Sequence, residues 1–124
     1  MTKLYTEDHE WVSVDGDVAT IGVSAYAAQQ LGDDIVAAED LLAVGDDVSK
    51  GDILFVFEKA KAAVEVYAPV SGEVTEMNAF LEGDSESFHD NLMAVEWLYK
   101  VKMSDASEVE GLMDEAAYKA FCEA

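Results

Sequence analysis

The chain has 124 residues, 51% of them hydrophobic, with 27 acidic side chains against 7 basic ones and a formal charge of −20. That length suits one domain with a true hydrophobic core and would cramp two. Acid spread along the whole chain, with no cluster of Lys or Arg, argues against nucleic acid or anionic lipid as a partner, favours partners with basic patches, and implies a monomer.

The lone cysteine, Cys122, excludes an internal disulfide and reads as a thiol on a terminal helix. No apolar run approaches the ~18 residues of a membrane span. The opening MTKLYTEDHEW has neither an apolar signal core nor an arginine-rich transit segment, so the expected location is cytoplasmic. His9 and His89 have no ligand spacing, and the acids form no D-x-D-x-D-G loop, so no metal site is expected. No nucleophile-base pair or phosphate-binding loop stands out, which argues against an active site of the chain's own.

Residues Trp11 to Val23, WVSVDGDVATIGV, alternate apolar and polar on both sides of Asp15-Gly16-Asp17 and predict a hairpin. Ser24 can cap the alanine-rich AYAAQQL and Gly32 can end it, which makes a short helix. From Asp33 to Phe57, turn residues at Gly45-Asp46-Asp47 and Lys50-Gly51-Asp52 divide apolar pieces into several short strands. The unbroken apolar run Ile53 to Phe57 reads as a strand buried on nearly both faces. Val64, Val66 and Ala68 alternate with Glu65 and Tyr67 in a second strand, limited by Pro69.

After the Ser71-Gly72 turn, Glu73 to Met77 forms another alternating strand. Asn78 to Val95 mixes acids, serines and apolar residues, which predicts one or two helical turns among loops. Trp97 to Val101 returns to strand, and Trp11 and Trp97 read as packing residues. Ser104 and Asp105 then open a helical tail in which Val109, Leu112, Met113, Ala117 and Phe121 fall at helical spacing. VGDDVSKGDI and APVSGEVTEM, on either side of residue 60, both pair a turn glycine with a strand and are compatible with a folded-back, quasi-symmetric sheet.

Between the two central strands lies EKAKAA, residues 58–63. Its composition favours helix, but so short a piece cannot sustain one unaided. A tight type I β-turn at Ala60-Lys61 is the better expectation, since that turn needs no glycine. Alanines on both sides leave the Lys61 amine open. A protonated lysine is a poor nucleophile, so an enzyme that acylates it must remove the proton, and openness matters more than local activation.

EKAKAAVEV, residues 58–66, resembles the lipoyl-lysine hairpin of lipoyl carrier domains, and the following YAPVSGEV is similar to the next strand and turn of that fold. Biotin carriers use a comparable hairpin with methionine beside the lysine; Ala60 and Ala62 favour lipoate. The segments YTEDHEWV (5–12), GDVATIGVSAYAAQQLGD (16–33), VYAPVSGEV (66–74), WLYKVKMSD (97–105) and LMDEAAYKAF (112–121) stand in the order found in glycine cleavage H proteins. The resemblance therefore spans nearly the whole chain.

It implies a mainly β, lipoyl-domain-like barrel-sandwich hybrid, two small antiparallel sheets with short peripheral helices and a C-terminal helix. Residues 1–124 would form one carrier domain, with the lipoyl hairpin near 53–68 and the helical tail near 104–124. Lys61 would carry lipoate in amide linkage as N6-lipoyllysine, attached by a lipoate ligase or lipoyltransferase. The implied partners are a pyridoxal-phosphate glycine decarboxylase, a tetrahydrofolate-dependent aminomethyltransferase and lipoamide dehydrogenase, between which the arm shuttles the aminomethyl group of glycine. Such a protein is a carrier subunit and not an enzyme. Glu10, Glu65 and Asp8 match acids near the cleft where the loaded arm rests, suited to its cationic amine.

The chain departs from that pattern in places. DDIVAAEDLLAV, between Gly32 and Gly45, is slightly longer than usual and lacks a proline; FHDNLMAVE, 88–96, lacks the usual proline, tyrosine and glycine; Lys59 replaces a small uncharged residue. Two other readings stay open on the sequence: an H-like lipoyl carrier of sulfur oxidation or lipoyl relay, and an unmodified acidic interaction module.

Overall fold

The structure, a computed structural model, describes residues 3–31, 35–39, 41–82, 94 and 97–123. Among these residues nine strands run in chain order: β1 Lys3–Tyr5, β2 Glu10–Asp15, β3 Val18–Val23, β4 Ile35–Glu39, β5 Asp47–Val48, β6 Ile53–Lys59, β7 Ala63–Tyr67, β8 Gly72–Met77 and β9 Trp97–Met103. Among the described residues two α-helices accompany them, α1 Ala25–Leu31 and α2 Glu115–Glu123. The strands form a six-stranded sheet in the order β1-β2-β3-β9-β8-β5 and a three-stranded sheet in the order β4-β6-β7, all pairs antiparallel. The mainly β, two-sheet expectation holds.

The expected hairpin is β2-β3, closed at Asp15↔Val18 over Gly16-Asp17, with Gly16 at φ 65°. Ser24 caps α1 as read: its hydroxyl accepts the Ala27 N–H at 3.1 Å. Two further turns repeat one device. Asp46 N–H closes on the Ala43 carbonyl and Asp52 N–H on the Ser49 carbonyl, while each aspartate side chain accepts the N–H of the turn's first residue. The residue before each aspartate is a glycine, Gly45 at φ 98° and Gly51 at φ 92°, as a type II turn requires at its third position.

Strand β6 lies in the middle of the smaller sheet. Leu54, Phe55 and Phe57 are buried, while Ile53 is 43% exposed, so burial on both faces fails at the first residue. A register irregularity between Ile53 and Phe55 turns two successive side chains inward. Phe55 meets Phe57 edge-on at 4.7 Å between centroids and Tyr99 of β9 at 5.9 Å. Those rings join the two sheets through one continuous core.

Trp11 is buried against its cross-strand neighbour Gly22. A Cβ on Gly22 would stand 2.5 Å from Trp11 Cε2, nearer than any ordinary contact. Overpacking of this kind costs about 1–3 kcal/mol, so Gly22→Ala is expected to lower urea stability by that amount. A variant as stable as the native chain would mean that the indole has room to move.

The C-terminal tail differs from its expectation. It is not one helix with Val109, Leu112, Met113, Ala117 and Phe121 on its buried face. A 3-10 turn, Ala106–Val109, is followed by further turns and a single bridge residue, Met113, and then by α2, in which Tyr118 is buried while Ala117 and Phe121 are exposed. The break has a cause: Met113 exchanges both backbone hydrogen bonds with Tyr5 at 2.7 and 2.9 Å, which helical geometry forbids. Asp114 then restarts the helix, its carboxylate accepting the Ala117 N–H at 2.8 Å. Glu108 ties the tail to the rest, accepting from both the N–H and the hydroxyl of Ser71 at 2.6 and 2.8 Å. Within Asn78 to Val95, a 3-10 turn at Ala79–Glu82 answers the helical expectation; apart from Ala94, the remainder of that segment lies outside the described residues, as do His89 and Gly32.

Candidate functional site

Strands β6 and β7 pair through Phe57↔Val64 and Glu58↔Ala63, and the Lys59 N–H donates to the Ala62 carbonyl at 2.7 Å. Ala60 and Lys61 are therefore the two loop residues of the hairpin. Neither has a positive φ; among the described residues His9 is the only non-glycine that does. The loop is a two-residue bend that avoids the mirror-image turns that call for glycine, so it needs no glycine, as expected. Lys61 is exposed at the tip, whereas Lys59 still belongs to β6 and is half-buried.

A cleft of about 200 Å³ runs beside β7, with Val23, Ala27, Val64 and Val66 among its apolar walls and Asp8, Glu10 and Glu65 as its acids. The three acids singled out in the sequence therefore line one space, joined by His9 and Gln30. At about 3.3 Å per residue, Val64 to Val66 lie roughly 10–17 Å along the chain from Lys61. A lysine lengthened by an octanoyl-sized acyl chain spans that distance.

Glu10 is the unusual member, because it is only 2% exposed. Its Oε2 accepts the Tyr67 N–H at 2.8 Å, and its Oε1 accepts the Thr6 hydroxyl at 3.2 Å. The first of these satisfies a backbone donor on the free edge of β7 and ties the small sheet to the start of β2. Burial pushes the Glu10 carboxyl up to about 8, against the lowering effect of the Tyr67 N–H; Asp8 adds to the rise and the Thr6 hydroxyl opposes it. Asp8 and Glu65 are exposed at the rim. The negative charge of Glu65, first among several causes that include Asp8 and Glu10, also holds the Tyr67 phenol above its ordinary range. The exposed carboxylates of Asp8 and Glu65 at the rim favour a cation in the cleft, with the buried Glu10 carboxyl beside them.

Sequence reasoning missed the contacts that steady this wall. The Tyr118 hydroxyl lies 2.7 Å from His9 Nδ1 and 2.6 Å from Ser24 Oγ. Burial raises the Tyr118 phenol well above its ordinary range. Positions 9, 24 and 118 share no motif or spacing; the only hint in the sequence was Ser24, read as a helix cap.

A family model described as glycine cleavage H-protein matches residues 3–124. The glycine cleavage system H protein of Phenylobacterium zucineum is 51% identical over 117 residues, covering 94% of this chain and 95% of its own. That of Thermotoga maritima is 44% identical over 120 residues, covering 97% and 95%. The crystal structure of a glycine cleavage system H protein from Mycobacterium marinum superposes with a TM-score of 0.81 at 28% identity, covering 99% of this chain and 98% of that one. With its hairpin lysine, its acid-walled cleft and these full-length likenesses, the chain belongs to the glycine cleavage H-protein family.

Proposed function

We propose that the protein is the lipoyl carrier of glycine cleavage, with lipoate in amide linkage on Lys61 Nζ. One observation carries the reading: an exposed lysine at the tip of a two-residue hairpin stands beside a cleft that is apolar along β7 and acidic at Asp8, Glu10 and Glu65. Apolar walls suit an acyl chain and its ring, and the acids suit an amine at its end. Bound lipoate supplies a dithiolane that both accepts electrons and carries the aminomethyl group of glycine.

The chain's own residues do the rest. Ala60 and Ala62 leave Lys61 free to enter the sites of the attaching ligase or transferase, the pyridoxal-phosphate decarboxylase, the tetrahydrofolate-dependent aminomethyltransferase and lipoamide dehydrogenase. Val64 and Val66 exclude water from the resting arm. Glu10, with Glu65 and Asp8 at the rim, holds the cargo's nitrogen protonated by charge-assisted hydrogen bonds. A protonated nitrogen has no lone pair with which to expel the carrier's sulfur, so the cargo survives transit. The carboxyl of Glu10 meets an arriving cation as an acid poised near neutrality, and the cation draws it toward its charged form.

The test is reconstitution. Lipoylated protein mixed with a pyridoxal-phosphate glycine decarboxylase is expected to support release of carbon dioxide from glycine in proportion to carrier added. No release, with the lipoyl group verified by mass, would assign the carrier to other chemistry.

A further inference from the structure

Among its described residues α2 buries one side chain, Tyr118, and that side chain grips the segment Thr6–His9 at both ends. Before the segment, the Tyr118 ring stacks on Tyr5 with centroids 4.3 Å apart and planes 7° from parallel. At its far end, the Tyr118 hydroxyl meets the His9 ring, while the Ser24 N–H donates to the His9 carbonyl at 2.8 Å. His9 is thus held by both ring and backbone. It needs holding: φ is 66°, a left-handed conformation that a residue with a side chain leaves unless its surroundings fix it. The next residue is Glu10, whose N–H donates to the Thr6 hydroxyl at 3.1 Å and whose carbonyl accepts the Thr6 N–H at 2.9 Å, closing the loop.

We propose that Tyr118 is a positioning residue of the carrier: by gripping Tyr5 and His9 together, it keeps Asp8 and Glu10 in the wall of the arm cleft. No residue of α2 lines that cleft, so the C-terminal helix acts on it through His9, which the Tyr118 hydroxyl holds by a hydrogen bond and the Phe121 ring meets only by a tilted contact at 5.8 Å between centroids. The inference rests on reading the cleft as the resting place of the cargo.

Tyr118→Phe in the full chain, without lipoate, is the first test, since it keeps the stacked ring and removes only the hydroxyl. Thr6, Asp8 and Tyr67, the other groups acting on Glu10, are left in place. The Glu10 carboxyl, monitored by ¹³C NMR, is expected to titrate about one unit or more below its native midpoint, because a loosened loop admits water. The His9 amide-to-Hα coupling is expected to move with it as the backbone relaxes. Ala120→Gly weakens α2 on an exposed face without touching the hydroxyl and is expected to leave both signals unchanged.

In lipoylated protein, Tyr118→Phe and Glu10→Gln are each expected to speed loss of the cargo, by up to about tenfold, and the double variant is expected to be no faster than Glu10→Gln alone. Should Tyr118→Phe fail to fold, Ser24→Gly cuts the hydroxyl's other anchor while keeping a tolerated cap, and is expected to shift the Glu10 midpoint in the same direction. An unmoved Glu10 midpoint in the hydroxyl variant, or an equal shift in Ala120→Gly, overturns the role of Tyr118 and leaves the cleft reading standing. Cargo loss that ignores Glu10→Gln sinks both together.

Discussion

A Lys61→Ala variant, coexpressed with a lipoate ligase and free lipoate, is expected to gain no lipoyl mass and to lose all carrier activity, while Lys59→Ala is expected to be lipoylated like the native chain. The asymmetry comes from the hairpin. Both lysines belong to the same short basic segment, and composition does not rank them. Lys59 is fixed by strand pairing, with its N–H on Ala62, and its side chain is half-buried, whereas Lys61 occupies a loop position that pairs with nothing across the hairpin. An acylating enzyme must surround the amine and take its proton, which only the tip residue permits. Truncation at the tip removes no buried contact, so the melting temperature is expected to stay within a degree or two of native. Fragment mass spectrometry decides the matter, and a lipoyl group found on Lys59 would reverse the assignment.

The second large effect concerns Glu10 and pH. Its carboxyl titrates at about 8 in the folded protein against 4.5 for a free one, because burial disfavours the charge. The folded state therefore binds the proton more tightly than the unfolded chain, and the stability so conferred is full below pH 4.5 and lost progressively as pH rises to about 8. The loss amounts to roughly 3–5 kcal/mol for a single buried site. Glutamine is a neutral isostere, with an amide oxygen for the Tyr67 N–H. Glu10→Gln is thus expected to match native stability near pH 4.5 and to exceed it by roughly 3 kcal/mol or more near pH 9. Urea titrations of both proteins at the two pH values measure the difference, in which the other acids largely cancel. A gap that stays constant with pH would show that Glu10 ionises like a surface acid. The same substitution is expected to shorten the life of the loaded carrier, since the amide carries no charge to hold the amine.

The local parts of the fold were legible because each is written within a few residues. Asp15-Gly16-Asp17 closes a hairpin, Ser24 caps a helix, and the glycines before Asp46 and Asp52 adopt the positive φ that their turns need. The turn at Ala60-Lys61 was legible too, since strand patterns press on it from both ends and helix propensity could not act over so few residues. Propensity and periodicity did mislead in the tail. Val109 to Phe121 carry a helical pattern, but pairing of Met113 with Tyr5 interrupts it, and no feature near Met113 announces a partner more than a hundred positions away. Likewise β1 is too short for alternation to reveal, and it exists because β2 and the tail hold it on its two edges.

By itself the sequence determined the strands and turns, the hairpin with Lys61 at its tip, and a set of acids without any order of importance among them. The tertiary structure alone decided which of them is buried and what holds it. Glu10 became a buried carboxyl because its partner on β7, Tyr67, is 57 positions away, and His9 is held by a tyrosine 109 positions away. Turns are decided by backbone preferences of neighbouring residues; desolvation, which sets the character of Glu10, is decided by whatever the whole chain folds around it.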